Sequence, residues 1–286
     1  MKALGFFDGA FLDPETAAVR LEDRGYQFGD GIYEVTRVYD GKLFAFARHM
    51  KRFRRSLRAV RIPITYMDEE ILAIHQDLIQ KSGIQNGHIY MQVTRGFAPR
   101  AFSFPTKVQP MLSLTIRESM PNREQQAQGM ALHLAEDVRW LRCDIKSLNL
   151  LGAVLAKEAA HEAGCQEALL YRKDSGLVTE GASSNFLCIK DGVLWTHPLD
   201  NFILPGVTRA ILLEEIAPKL GLTVVEKAFT PAFAQSADEA METSTTLEVT
   251  PVVRIGKQVI GDGKAGKVTR QIMDAYQECV RTGQEA

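Results

Sequence analysis

Three Asp-Gly pairs, Asp8-Gly9, Asp40-Gly41 and Asp191-Gly192, each lie between short apolar runs, and this pattern predicts three tight β-hairpins. Elsewhere apolar residues recur at helical intervals. Met50, Phe53, Leu57 and Val60 make one face of a helix over the basic stretch 48–61. Ile71, Leu72, Ile74, Leu78 and Ile79 make another, with Asp68 as a cap and Gly83 as a stop. Helical spacing also covers 148–163, where Ser147 is a candidate cap, and 207–220 and 267–281. Strand patterns fall at 89–94, 111–116, 131–138, 167–171, 186–189 and 193–196.

Strands and helices mix over 1–118, which reads as a smaller α+β domain. The polar, proline-bearing segment 119–125 reads as a connection, and 126–286 as a larger α/β domain. The 286 residues suffice for two domains, and 45% hydrophobic with 24% charged residues is ordinary globular composition. A formal charge of -1 argues against a nucleic-acid binder, since phosphate-backbone affinity needs excess Lys and Arg. No apolar run approaches a membrane span, and Asp8 interrupts the amino-terminal apolar stretch, so a cytoplasmic protein is expected. Cys143, Cys165, Cys188 and Cys279 form no C-x-x-C pair and are expected to be reduced thiols. The histidines show no metal-ligand spacing, so no metal is expected.

The candidate chemistry centres on Lys146. It closes the alternating run from Arg139 to Ile145 and precedes Ser147, which suggests a strand-to-helix junction where rigid elements hold the amine in a partly dry pocket, as a Schiff-base lysine needs. Further on, Thr179-Glu180-Gly181-Ala182-Ser183-Ser184-Asn185 places an acid among small polar residues ahead of a strand. By composition it is a polar turn, but Glu180 also suits the carboxylate that keeps a pyridine nitrogen protonated in pyridoxal phosphate chemistry. Leu204-Pro205-Gly206-Val207-Thr208 offers a helix start with free N–H groups for a phosphate, and Thr243-Ser244-Thr245-Thr246 a second run of small donors. Arg24-Gly25-Tyr26-Gln27-Phe28-Gly29-Asp30-Gly31-Ile32-Tyr33 is neither a Walker loop nor a dinucleotide fingerprint. By pattern alone, Tyr33 is a core aromatic, Arg100 a surface charge, and the 48–61 basic run a solvated helix face.

Taken together, these pieces resemble the fold-type IV pyridoxal phosphate enzymes and, within them, the D-amino acid transaminase branch. The likeness is carried by the stretches Glu22 to Gly31, Gly87 to Gly96, Trp140 to Lys157, Val178 to Gly181 and Thr243 to Thr246, and it spans nearly the whole chain. The resemblance implies two domains with pyridoxal 5′-phosphate in the cleft between them and an obligate homodimer. It implies Lys146 as the Schiff-base lysine and proton carrier, and Glu180 at the ring nitrogen. Arg52, Val207, Thr208 and Thr245 would hold the phosphate, and Leu204 would lie against the ring. Tyr33 and Arg100 would bind the substrate carboxylate, Arg100 across the dimer. The reaction implied is ping-pong amino transfer from D-alanine to 2-oxoglutarate, giving pyruvate and D-glutamate.

Where that branch carries a histidine two positions after the carboxylate-binding arginine, this chain has Phe102. Losing such a donor costs about 1–3 kcal/mol if nothing replaces it. The L-branched-chain transaminases and the aminodeoxychorismate lyases share the cofactor lysine and glutamate, so Lys146 and Glu180 do not separate them. A non-catalytic cofactor carrier would have no need of Tyr33 and Arg100.

Overall fold

At the three Asp-Gly pairs the chain does turn back, and aspartate and glycine both take positive φ: 46° and 92°, 45° and 75°, and 51° and 75° in chain order. That conformation matches the twist of paired strands. The computed structural model describes residues 3–107 and 109–283. The chain divides into two compact units, Met1–Met120 with Ile145–Asn149, and Pro121–Asp144 with Leu150–Ala286.

In chain order the first unit contains β1 (Ala3–Phe7), β2 (Ala10–Leu12), α1 (Arg24–Phe28), β3 (Gly31–Tyr39), β4 (Lys42–Phe44), α2 (Phe46–Val60), α3 (Asp68–Ser82), β5 (Gly87–Thr94) and β6 (Met111–Glu118). Six antiparallel strands form a sheet in the order β2-β1-β6-β5-β3-β4. Alternate residues Ile89, Met91 and Val93 of β5 and Leu112, Leu114 and Ile116 of β6 share one buried face. Phe53 and Leu57 of α2 and Ile71 and Leu78 of α3 pack against it. Asp68 is the first residue of α3 rather than its cap. Its carboxylate instead meets Arg54, and Glu70 reaches back to the Met67 N–H. Gly83 ends the helix at φ 67° as expected.

The second unit contains α4 (Arg123–Gln128), β7 (Met130–Glu136), α5 (Leu151–Glu162), β8 (Glu167–Arg172), β9 (Leu177–Gly181), β10 (Asn185–Lys190), β11 (Val193–Thr196), α6 (Val207–Ile211), α7 (Ala217–Lys219), β12 (Thr223–Glu226), α8 (Pro231–Gln235), β13 (Glu239–Ser244), β14 (Glu248–Ile255), β15 (Gln258–Val259) and α9 (Lys267–Thr282). Its nine-stranded sheet runs β12-β11-β10-β13-β14-β7-β8-β9, with β15 on β14. Parallel pairs at β11/β12, β14/β7 and β7/β8 sit among antiparallel ones. Met130, Leu132, Phe186, Cys188, Val252 and Ile255 form the main core. The helix predicted over 207–220 exists, but Leu212–Ile216 widens into a π turn between α6 and α7. Pro218 supplies no N–H to the carbonyl one turn earlier, which is where the regular ladder gives way.

Two expectations around Lys146 are corrected. Residues 137–150 form neither strand nor helix apart from one bridge, because the backbone pairs with a neighbouring loop: Cys143 N–H donates to Asn201 O, and the Asn201 amide donates to Leu141 O, both at 2.9 Å. Ser147 does not cap the following helix. Its hydroxyl accepts from Asn149 N–H at 3.3 Å in a local turn, and α5 starts only at Leu151.

Candidate active site

Lys146 is held at one end of a very short added strand centred on Ser147. Ile32 of β3 bridges Ser147, Tyr33 N–H donates to Lys146 O at 2.9 Å, and Leu148 N–H donates to Gly31 O at 3.1 Å. The segment occupies the β3 edge beyond the end of β4. Backbone pairing therefore fixes the lysine where the sequence suggested a helix junction. Its half-buried ammonium lies 4.1 Å from the centroid of the Tyr33 ring, which stacks on Tyr90 at 5.5 Å.

Successive strand residues point to opposite faces, so Glu34 turns away from Tyr33 and toward α2. There, Arg52 Nε donates to Glu34 Oε2 at 3.0 Å and Arg52 Nη2 to Oε1 at 2.5 Å, while His49 Nδ1 meets Oε1 at 3.0 Å. All three are buried. Burial alone would raise the Glu34 carboxyl, yet Arg52 and His49 bring it well below the usual carboxylate range. Burial, in turn, lowers His49.

Arg100 and Phe102 lie on the exposed loop after β5. The Arg100 guanidinium carbon stands 4.6 Å from the centroid of the Phe28 ring. Phe102, 87% exposed, lies 5.5 Å from the same ring, and Arg24 donates to Ala101 O at 2.6 Å.

In the second unit, Glu180 sits on β9, not in the polar turn that its composition suggests; the turn follows at 182–184. Donors converge on this buried carboxyl. Arg139 Nη1 donates to Oε1 at 2.7 Å, and Oε2 accepts from Asn185 Nδ2 at 2.7 Å and from Leu204 N–H at 3.0 Å. Asp137 in turn takes Arg139 Nε and Nη2, both at 2.9 Å. Burial pushes Glu180 up to about 7 against the pull of Arg139. Asp137 stays below its ordinary value, because the Arg139 and Thr179 hydrogen bonds outweigh burial.

Val207 and Thr208 begin α6, with Gly206 at its cap. A Cβ on Gly206 would come within 1.9 Å of Asn185 Oδ1, so the glycine is required by the close approach of the amide that holds Glu180. Thr243 and Ser244 end β13, and half-buried Thr245 lies in the next turn. Within the second unit, the fixed acceptor at Glu180 suits a basic ring nitrogen and the helix-start N–H groups at Val207 and Thr208 suit a phosphate, and within the first the amine of Lys146 suits a Schiff base. Among the described residues, no group of three or more His, Cys, Asp or Glu has a metal-holding arrangement.

The sequence reading missed Glu34, His49, Arg139, Asp137 and Asn185. Glu34 had a signal, since it shares strand parity with Ile32 and Val38 and is therefore a charge on the core face. Arg139 had none, because its partner Glu180 is 41 positions away.

Residues 31–255 match the family described as amino-transferase class IV. The chain belongs to this family. It is thereby a pyridoxal phosphate-dependent aminotransferase of fold type IV. It is 45% identical over 278 residues to a D-alanine aminotransferase of Staphylococcus haemolyticus, covering 97% of this chain and 98% of that one. It is 44% identical over 270 residues to the D-alanine aminotransferase of Listeria monocytogenes, covering 93% and 92%. Among solved structures, the branched-chain amino acid aminotransferase of Escherichia coli superposes with TM-score 0.91 at 26% identity, covering 96% and 93%. The branched-chain amino acid aminotransferase of Thermoproteus uzoniensis, solved with norvaline, gives 0.87 at 25%, covering 99% and 96%.

Proposed function

We propose that this aminotransferase acts on D-amino acids, with D-alanine as donor and 2-oxoglutarate as acceptor. The observation that carries the reaction type is Lys146, a half-buried residue whose carbonyl accepts from Tyr33 N–H, whose own N–H donates to the Ser56 hydroxyl at 3.4 Å, and whose amine is set over the Tyr33 ring. The D-specific choice is supported by the 45% identity to D-alanine aminotransferases over nearly the full length.

When bound, pyridoxal phosphate supplies a ring that spreads the negative charge left when a proton leaves the substrate α-carbon. Lys146 Nζ would take that proton and give it back, serving as base and then as acid. Glu180, oriented by Arg139 and Asn185, would keep a proton on the ring nitrogen, and Leu204 would lie against the ring. Arg52 contributes a positive charge made rigid by Glu34. Arg52, the N–H groups of Val207 and Thr208 and the Thr245 hydroxyl would hold the phosphate. Tyr33 and Arg100 hold the substrate carboxylate, with Phe102 beside them as an apolar wall.

Arg100 would serve the site of the second copy in a homodimer. Exposure of the 100–102 loop supports this, and so do the uncovered Leu151, Val154 and Leu155, which share a face of α5. Among the described residues no helix is long and apolar enough to cross a membrane. Four buried free thiols fit a reducing cytoplasm.

The branched-chain superposition and the apolar Phe102 favour a second reading, L-branched-chain transamination. Adding D-alanine or L-leucine to the holoenzyme without an acceptor and following the cofactor's visible absorbance separates the two. Bleaching with D-alanine alone is expected, and bleaching with L-leucine alone would overturn the D-specific reading. Lys146→Ala should lower turnover by several orders of magnitude, and full turnover in that variant would refute its role.

A further inference from the structure

Strand β13 carries a fully buried acid in its middle. Glu242 pairs in register with Phe186 of β10 and Thr250 of β14, neither of them charged, and neither of its carboxyl oxygens has a hydrogen-bond partner among the described residues. An ion in that position would be a bare charge in an apolar medium, which proteins avoid by keeping the proton on. The nearby ammonium, Lys157 of α5, is engaged by Glu167 of β8 at 2.9 Å. Glu167 also accepts from Ser183 Oγ at 2.6 Å and Ala168 N–H at 2.8 Å. Of these two buried acids, Glu167 therefore has the partners that an anion needs, and Glu242 has none of them. Burial and the neighbouring Glu167 charge raise Glu242 well above the carboxylate range.

Both acids pack against the turn that follows Glu180, a turn closed by Gly181 N–H donating to Ser184 O at 2.8 Å. Glu167 grips it through Ser183. Glu242 presses on it at Gly181, where an added Cβ would lie 2.8 and 3.0 Å from the two carboxyl oxygens and 2.3 Å from Ser184 Oγ. The buried Ser184 hydroxyl lies beside the carboxyl and pulls it down, but burial and the Glu167 charge outweigh that pull.

We propose that Glu242 is a positioning residue for Glu180: a neutral, proton-bearing carboxyl that fills the space under the 181–184 turn and leaves the Glu180 charge uncontested. This rests on the reading of Glu180 as the acceptor for the cofactor's ring N–H. The charged groups acting on Glu242 are Glu167, Glu180 and Lys157. If Glu242 ionises at alkaline pH, three carboxylates surround one turn against Lys157 and Arg139. Glu180 then relieves the repulsion by taking up a proton or shifting, and its hold on the ring nitrogen is lost.

The test compares wild-type holoenzyme with Glu242→Gln, which is near-isosteric and cannot ionise. Cofactor affinity should fall about tenfold or more between about pH 7 and about pH 10 in the wild type, and clearly less in the variant. The infrared difference spectrum at neutral pH should show a protonated-carboxyl band that the variant lacks. Superimposable pH curves, or no such band, would overturn the proposal. Should the variant not fold, the wild-type band that persists in Glu180→Gln decides, because Glu180, pushed up to about 7, has a protonated band of its own at neutral pH. Conversion of that band to carboxylate in step with cofactor loss supports the role of Glu242, and conversion out of step refutes it. Glu180→Gln separates the two levels: if it leaves affinity and spectrum unchanged, the Glu180 reading is what fails.

Discussion

Arg52 shows how much a single charge depends on its neighbour. Its guanidinium and Glu34 are both almost fully buried, and each is costly without the other. Arg52→Met should destabilise the protein by about 3–5 kcal/mol, because the buried Glu34 then keeps only His49 of the two side chains that hold its carboxylate. Adding Glu34→Gln should recover much of that stability while cofactor affinity stays low, as separate denaturant-unfolding and binding titrations would show. If the double variant recovered both, the phosphate role would be refuted. Phe102 works at the same scale in the opposite sense. It offers no donor to a carboxylate, and its exposed ring leans only on Phe28 among the described residues.

The elements were legible in the sequence wherever local chemistry decides them. The hairpins followed from Asp-Gly turns, and α2, α3 and α9 from helical spacing. The loop around Lys146 and the strand position of Glu180 were not legible, because backbone partners elsewhere in the chain settle both: β3 for the lysine, and β8 for the acid. Strands β13 and β14 also escaped. A buried Glu242 and the polar Thr243-Ser244-Thr245-Thr246 run hide the alternation that marks a strand.

On α3, His75 carries a testable pH effect. Its Nδ1 pairs with Ile71 O at 2.8 Å while buried Nε2 has no partner among the described residues, and burial brings it down to about 4. Between that value and its unfolded value of 6.5, the unfolded chain binds a proton that the folded one refuses. Stability should therefore fall as pH drops through this window, by about 1.4 kcal/mol per unit at most. His75→Gln should flatten the slope of Tm against pH there, and an unchanged slope would count against the assignment.

For the whole molecule, the exposed apolar residues of α5 predict assembly. Leu155→Glu on the Leu151, Val154 and Leu155 face should shift the protein toward monomer in analytical ultracentrifugation and reduce turnover, because Arg100 would then be missing from its proposed place. A variant that stays dimeric with full activity would locate the interface elsewhere.

The path of the chain has one more consequence. The polypeptide leaves the first unit at Met120, returns for the five residues Ile145–Asn149, and leaves again. A gene cut after residue 120 would deliver a sheet whose β3 edge has lost its partner, with Tyr33 N–H and Gly31 O open to water or to another molecule's strand. Such a fragment should self-associate, and a separately made second fragment would carry Lys146 on an unanchored tether. The enzyme therefore cannot be divided at its apparent linker into two independently useful pieces. A circular permutant that keeps 145–149 covalently continuous on both sides should tolerate new ends at the Asp191-Gly192 turn instead.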